Sequence, residues 1–574
     1  MTKPLLIFER PFIKRPQGFK HVFSFCANEA DSFPEDYLND QEVRNFYDLT
    51  YNEIFQHFDQ SQAKKLVTYQ GVDLVNCFKK LLFDYAYISR LRYETIKRLL
   101  AKVGAREFYI PSTERRTSSI ISFIKGTPLK DSMRFCQANP GLVQEKIGNR
   151  NNKNIPFYWP HLVTFGRRDS ARTLVFSNLE KTEGLMNGLK SEGAIFICNA
   201  PSVRIPFRCW RNKIPLYQFV FNGLSTLRYR SHVEHWVDKL RESRPFLGLK
   251  IGEIDGETLL GPKIEEYFRL QLPKLLFEID CIHQFFKSNP NVQSALLDED
   301  VLPTKNMFSQ IARQYRVQTM VECHGCLGHK AGFLPLTADW ILVWGKAQKT
   351  KLISWGCEEE RIKVTGCSRY ERYQSLDERL LRHQVTERYQ LDATKKIILW
   401  APCPVPLGRF LFENKMRRVN QEMMEVLLEL AEAEGLQFII KLHPRELEGG
   451  RYQQWVKSHQ LFSRGVVLQK EDPLILIKAT DLLVSYFSTL AIDGFAMNRP
   501  VISLCPQSNQ ILDEFRGFDV FYEANGKIEL FGLIRSWLEG KLNFSHKINQ
   551  ARQECLNEGL GISTERVKEC LLAS

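Results

Sequence analysis

The clearest pattern of apolar and polar positions lies in the last third of the chain. KKIILWAP (Lys395 to Pro402) is a run of apolar positions closing on a Pro-rich loop, and NQEMMEVLLELAEAEG (Asn420 to Gly435) repeats its apolar residues at helical spacing before a Gly. LQFIIKLHP then reads as a strand, RYQQWVKSH as a helix, GVVLQ as a strand, PLILIKAT as a short helix, DLLVSYFST as a strand, LAIDGFAMN as a helix and RPVISL as a strand. Short apolar strands alternating with helices predict βαβ units, and therefore a parallel sheet covered on both faces.

The middle third repeats the alternation more loosely. ARTLVFSN (Ala171 to Asn178) and AIFICNAP read as strands around the helix-like EKTEGLMNGLKSEG; SALLDED, QTMVECHG, DWILVWG and RIKVTGCSRY read as later strands, with TKNMFSQIARQYRV as a helix between the first two. Two such blocks, joined near Gln374 to Thr394 by a polar, charged stretch, predict an α/β fold of two facing Rossmann-type domains with parallel sheets. Their spans are 166–385 and 386–574, behind an N-terminal mixed α/β region over 1–165. In that region a long helix is expected around Leu74 to Lys102 and a strand at EFYIPST, whereas Arg115 to Lys153 shows little periodicity. No internal repeat and no low-complexity tract is legible. Ligands of open α/β sheets bind beyond the carboxyl ends of strands, so the residues just after each strand are the ones to examine for chemistry.

With 574 residues and 44% hydrophobic content, the chain is long enough for three or four domains of about 150 residues, which excludes disorder, collagen and a small disulfide scaffold. The 79 Lys and Arg against 66 Asp and Glu leave a net charge of +13, interspersed along the chain, so a basic surface is expected that attracts nucleic acid, an anionic leaflet or phosphorylated small molecules. Neither a signal-peptide h-region nor an apolar run of about 18 residues occurs, so a cytosolic or peripherally bound protein is expected. The 14 cysteines lie mainly in apolar segments, as with Cys198 and Cys505, and read as reduced, buried small hydrophobes.

Four clusters at strand ends carry candidate chemistry. Lys441, Leu442, His443, Pro444 and Arg445 follow LQFII; an imidazole on a rigid turn beside basic residues suits a phosphate, although a capping His on a surface turn is the blander reading. Ser485, Tyr486, Phe487, Ser488 and Thr489 follow DLLV, with Asp493 one turn into the next helix. Hydroxyls there can hold a phosphate and Asp493 can accept ribose hydroxyls, or the group is an N-cap with a solvated acid. Glu322, Cys323, His324, Gly325 and Cys326 end QTMV, aiming an imidazole into an interdomain cleft where Gly lets a ligand approach; zinc on Cys323, His324, Cys326 and His329 is disfavoured because no second Cys-x-x-Cys exists. Asp298, Glu299 and Asp300 end SALL, as a general base, a metal-diphosphate holder or simple caps of the next helix.

Taken in order, the acidic strand end, the His-Gly strand, VWG, KVTGCSRY, KLHPRE and DLLVSYFSTLAIDGFAMNRPVISL resemble two-Rossmann (GT-B type) transferases of surface polysaccharide assembly. The resemblance is to the CDP-glycerol glycerophosphotransferase-like group, with capsule Kdo transferases and bacterial sialyltransferases as more distant relatives. It runs over about residues 290–510, is only a pattern over 170–290 and does not reach the first 165 residues. It implies that His324 and Gly325, with Glu322, lie near the acceptor or reacting centre. It further implies that Gly366 to Arg369 is the family's Gly-x-x-Arg loop, that His443 and Pro444 bind the donor phosphate, and that Ser485 to Ser488 stand for its Asp-Tyr-Ser-Ser turn, with Asp493 for its later Asp. Ser485 replaces the acid and Phe487 the first serine. The remaining pair, Ser488 and Thr489, is as similar to the Ser-Ser or Ser-Thr turn of cytidine-nucleotide sugar transferases as to a glycerol phosphate polymerase.

The expected activity is a nucleotide-sugar-dependent glycosyltransferase, inverting, without metal or other cofactor, with a CMP- or CDP-linked donor and a glycan or lipid-linked glycan acceptor, in bacterial capsule or other surface glycan synthesis. Asp298 or Asp300 is the first expectation for the base and His324 the second, with His443, Lys441, Ser488 and Thr489 stabilising the departing nucleoside phosphate. The protein is expected in the cytoplasm, part of its charge lining the cleft and part meeting the anionic inner face of the membrane. The alternative is a nucleotide-sugar epimerase of the same fold, which would need no acceptor. A nucleic-acid partner is not expected, because no helix-turn-helix, RNA-recognition or zinc-finger signature accompanies the charge.

Overall fold

A computed structural model describes residues 3–8, 18–25, 30–60, 67–111, 124, 127–136, 172–177, 179–189, 192–198, 204–218, 223–374, 376–403, 413–444, 446, 449–461, 464–486, 488–504, 510–518, 520–542, 548–556 and 562–573. Near the N-terminus, β1 (Lys3–Phe8) and β2 (Phe19–Ser24) lead into the helix Asp40–Gln60, a hairpin of β3 (Thr68–Tyr69) and β4 (Val72–Asp73), and the helix Lys79–Val103. The long helix expected near Leu74 to Lys102 is present, preceded by the turn of helix Leu74–Cys77 that Asp73 caps through the Asn76 N–H, and it ends at Gly104, whose φ of +68° favours glycine. β5 (Phe108–Pro111), where EFYIPST predicts a strand, and β6 (Met133–Cys136) complete a parallel sheet in the order β2-β1-β5-β6.

The middle of the chain supplies β7 (Thr173–Phe176), β8 (Ala194–Cys198), β9 (Leu216–Gln218), the hairpin β10 (Lys250–Ile251) and β11 (Ile254–Asp255), then β12 (Ser294–Leu297), β13 (Gln318–Glu322), β14 (Trp340–Val343) and β15 (Ile362–Val364). Apart from the hairpin these form one parallel sheet, β15-β14-β13-β12-β7-β8-β9. The last third forms β16 (Ile397–Ala401), β17 (Gln437–Lys441), β18 (Gly465–Leu468), β19 (Leu482–Tyr486), β20 (Val501–Leu504) and β21 (Tyr522–Ala524), again all parallel, in the order β18-β17-β16-β19-β20-β21. Strands such as SALL, IILWA and VISL are buried at every position, because helices cover both faces. The α/β class with paired Rossmann-type parallel sheets thus agrees with the sequence pattern.

Two features were not legible. First, β9 reaches β12 through the long helices Gly223–Ser243 and Gly256–Ser288, joined by the hairpin; Pro262 and Pro273 lie inside the second, and proline ordinarily ends or kinks a helix. Second, this segment repeats the topology of the N-terminal one: helix, hairpin, aspartate cap, long helix, and a strand pairing with the one that opened the unit. Asp255 caps through the Thr258 N–H as Asp73 does through Asn76. The two units grip each other reciprocally. Tyr69 and Gln70, at the turn of the first hairpin, donate to Asp280 at 2.9 and 2.7 Å. At the turn of the second, Gly252 donates its N–H to Glu53 at 3.2 Å, and Glu253 accepts from Tyr93 and Lys97.

Of the C-terminal helices, which the sequence pattern grouped with the six-stranded unit, Ser563–Leu572 packs on the seven-stranded one and Ile548–Leu556 meets both, Arg552 and Cys555 donating to the Phe495 and Glu514 carbonyls of the six-stranded unit. Val567 and Leu571 join Val175, Leu296, Met320 and Leu342 in one core. Backbone meets backbone at Gly345, where a Cβ would stand 2.3 Å from the Glu554 carbonyl oxygen. The polar joining stretch contains a helix, Glu378–Tyr389, capped by Asp377 and tied to Asp481 through Arg382 at 2.9 Å. Among the described residues no helix is long and apolar enough to cross a membrane.

Candidate functional site

Numbered within the six-stranded sheet, the strand order is 3-2-1-4-5-6, so the chain changes direction between β16 and β19. The crevice outside the carboxyl ends at such a switch point is where open α/β sheets bind ligands. β17 delivers Lys441 and His443 to this edge, and β19 delivers Ser485, Ser488 and Thr489. The seven-stranded sheet turns likewise between β7 and β12, with Asp298 after β12 and His324 after the neighbouring β13.

The loop after β13 is held tightly. Trp344 donates its indole N–H to the Cys323 carbonyl at 2.9 Å, and the fully buried Gln348 donates to the Gly325 carbonyl at 3.2 Å while accepting the Trp344 backbone N–H at 2.9 Å. His324 is exposed and stacks on Phe333, ring centres 5.0 Å apart. Gly325 points across to the other sheet: a Cβ there would lie 3.8 Å from Thr489 Cγ2. The acceptor-side pair expected from sequence and the hydroxyl pair of the other unit therefore meet. Ser488 Oγ accepts the Leu490 N–H at 3.2 Å, and Thr489 is exposed.

Beside this meeting point the two units are clasped. Arg369 and Tyr370 both bond Asp493 Oδ1, the tyrosine at 2.7 Å; Asp493 is 4% exposed and Tyr370 is fully buried. Through this Oδ1, Asp493 joins the two units, and Arg369 pairs with it. Ser368 donates to Glu322 at 2.7 Å, which ties the Gly366 to Arg369 loop to the end of β13. Gly366 has φ +84°, and a Cβ would stand 2.1 Å from Ser563 Oγ on the C-terminal helix, so this glycine is required twice over.

Several expected side chains are committed elsewhere. Asp298 pairs with Lys305. Asp300 is 2% exposed and accepts the N–H groups of Thr337 and Ala338 at 2.5 and 2.6 Å; burial raises its carboxyl to about 6 despite those donors. Glu299 accepts the Val301 and Leu302 N–H groups ahead of the helix Pro303–Gln314, and burial raises it to about 7. The acidic triplet therefore serves a turn, an ion pair and a helix start. Lys441 is 5% exposed, donates to the carbonyls of Leu442 and Gln469 at 2.9 and 3.0 Å, and is held below the usual lysine range by burial. Gln469 in turn donates to the His443 carbonyl at 3.1 Å, fixing a turn that leaves His443 and Pro444 exposed. Ser485 is buried, its Oγ without a partner. Arg445 and Phe487 lie outside the described residues.

Cys323 and Cys326 are free and buried, and burial pushes both thiols well above the usual range. Among the described residues no group of three or more His, Cys, Asp or Glu could hold a metal ion. Sequence reasoning missed Trp344, Gln348 and Glu514, which hold the His324 loop. Trp344 sits in the VWG segment but carries no distinguishing pattern, and Glu514 lies far along the chain.

Residues 348–530 match the family model of CDP-Glycerol:Poly(glycerophosphate) glycerophosphotransferase, a span that takes in Arg369, His443, Ser488, Thr489 and Asp493 and stops short of His324. Over that span the chain is similar to that transferase family, and the span overlaps the resemblance seen over about residues 290–510. No curated protein sequence matches the chain. Among solved structures it is similar to a glycosyltransferase from Rickettsia africae ESF-5, at 13% identity, over 70% of this chain and 98% of that one, with a TM-score of 0.45. It is also similar to UDP-GlcNAc 2-epimerase from Neisseria meningitidis bound to UDP-GlcNAc (12%, 70% and 100%, TM-score 0.45) and to UDP-GlcNAc 2-epimerase from Methanocaldococcus jannaschii (13%, 70% and 100%, TM-score 0.45).

Proposed function

We propose that the protein is a nucleotide-sugar-dependent transferase of GT-B type, with a cytidine-nucleotide donor and a hydroxyl acceptor on a glycan or lipid-linked glycan of the bacterial surface. The observation that carries the reading is the approach of Gly325 to Thr489, which sets the exposed His324 of one Rossmann-type unit against the Ser488 and Thr489 turn of the other.

In this reading His324 takes the acceptor hydroxyl proton as the acceptor oxygen bonds the transferred carbon. The bond from that carbon to the donor phosphate oxygen breaks, and the nucleotide leaves with the electron pair. A single displacement of this kind inverts the centre. His443, on its fixed turn, and the Ser488 and Thr489 hydroxyls stabilise the charge on the leaving phosphate, which is why a metal is not required. His324 is preferred to Asp298 and Asp300 as base because Asp298 Oδ1 pairs with Lys305 and the buried Asp300 accepts two backbone N–H groups at Oδ2, whereas His324 is exposed. Part of the net charge of +13 would hold the protein against an anionic leaflet where lipid-linked acceptors reside; retention in the soluble fraction with anionic vesicles at low salt would count against that step.

A thermal-shift panel of CMP, CDP, UDP and GDP tests the donor, since a ligand that binds only the native state stabilises it by mass action. A rise with CMP or CDP is expected. No shift with any nucleotide at millimolar concentration overturns the reading.

A further inference from the structure

Leu327, in the loop that carries His324, donates its backbone N–H to Glu514 Oε1 at 2.6 Å. Glu514 belongs to the opposite unit, on the 3-10 helix Gln510–Phe518 that follows β20, and is 8% exposed; Leu327 is fully buried. A buried N–H needs an acceptor, and here a side chain supplies it from beyond the cleft. The same loop is held from its own side by Gln348 and Trp344, and Trp344 packs edge-on against Tyr370, ring centres 5.9 Å apart, whose hydroxyl bonds Asp493 of the opposite unit. Two carboxylates of the six-stranded unit, Glu514 and Asp493, thus set the surroundings of His324.

We propose that Glu514 is a positioning residue for His324: by seating the Leu327 N–H it fixes the loop Cys323 to Leu327 when the two units are apposed, and releases it when they part. The inference deepens, and rests on, the reading of His324 as the acceptor-side base. It makes the nucleotide-side unit responsible for arming the acceptor side, although the two are joined there by no covalent link. The groups around the Glu514 carboxyl are Gln348 and Lys351 from the helix Lys346–Ser354, Cys323 and Cys326 from the loop, Cys555 from Ile548–Leu556, and Asp513 beside it.

The test compares Glu514→Gln and Glu514→Asp in the full chain. Glutamine keeps the reach and an acceptor oxygen; aspartate keeps the charge and loses one methylene of reach. Hydrogen exchange of the amides of residues 323–328 is expected to quicken about tenfold in Glu514→Asp and to stay protected in Glu514→Gln, with exchange in β16 unchanged in both. Equal protection in Glu514→Asp and the wild type overturns the proposal, as does equal loss in the two variants. With CDP as the probe, the thermal shift is expected to be the same in wild type and Glu514→Asp, while acceptor-dependent turnover falls at unchanged donor KM. Should no nucleotide bind any of the three proteins, the transferase reading fails, and the exchange result still decides the role of Glu514.

Discussion

Gly325 and Thr489 come from different sheets, and a methyl group added to Gly325 would rest in ordinary contact, 3.8 Å from Thr489 Cγ2. At this one point the His324 loop and the Ser488 and Thr489 turn approach each other to within about one carbon.

Gly325→Ala is therefore expected to be tolerated, and Gly325→Leu to wedge the units apart. The larger variant should lose transfer by tenfold or more, and its stabilisation by CDP should weaken as well, because the added side chain presses on Thr489. Equal turnover in the two variants would show that the contact has no part in the reaction.

For His324 the expectation is a loss of about 10²- to 10⁴-fold in turnover on substitution by Ala or Gln, the usual worth of a general base, with little change in thermal stability because the ring is exposed. Asp300→Ala should do the reverse. It strands the Thr337 and Ala338 N–H groups, at about 1–3 kcal/mol each, and should lower the unfolding temperature while leaving CDP binding intact.

Removing Asp493 leaves the Arg369 guanidinium, with 24% of its side chain exposed, facing a site built for a partner. Asp493→Ala is expected to cost about 3–5 kcal/mol, and replacing both residues together by apolar ones of similar size to cost much less. A double-mutant cycle read by chemical denaturation measures this; additive costs would mean that the clasp contributes nothing.

Glu514, Glu299 and Asp300 are all raised by burial, to about 7, 7 and 6. Between about pH 4 and 7 the folded protein then holds protons that the unfolded chain has released, so these groups favour folding fully below about pH 4, and that contribution is lost as pH rises through 6 to 7. Glu514→Gln removes one of them. Its stability relative to the wild type is expected to grow from pH 5 to pH 7.5, on the order of 1–3 kcal/mol, and then to level off. A constant difference across that range would show that Glu514 is not raised.

The strands of the last third were legible because parallel strands buried on both faces are continuous apolar runs: IILWA, QFIIK, LLVSY and VISL all appear where the pattern places them. The positions after such strands were legible for the same reason: His443 follows QFIIK, Ser488 and Thr489 follow LLVSY, and His324 and Gly325 follow QTMVE of the middle third. The helix Gly256–Ser288 was not, since Pro262 and Pro273 interrupt its pattern, and neither was the topological repeat, which is carried by hairpin turns and caps and not by similar residues.

What the sequence by itself determined is the element order, the parallel sheets and the strand ends at which chemistry belongs, because burial, capping and turn formation act over a few neighbouring residues. Which of those polar residues are taken into buried contacts was decided by tertiary structure. Asp298, Asp300, Lys441 and Asp493 all look reactive in the sequence, and each meets a partner only after folding: Lys305, the Thr337 and Ala338 amides, the Leu442 and Gln469 carbonyls, and Arg369 with Tyr370. A buried polar group must be paired, most of these partners lie tens of residues or more away, and no local pattern announces them.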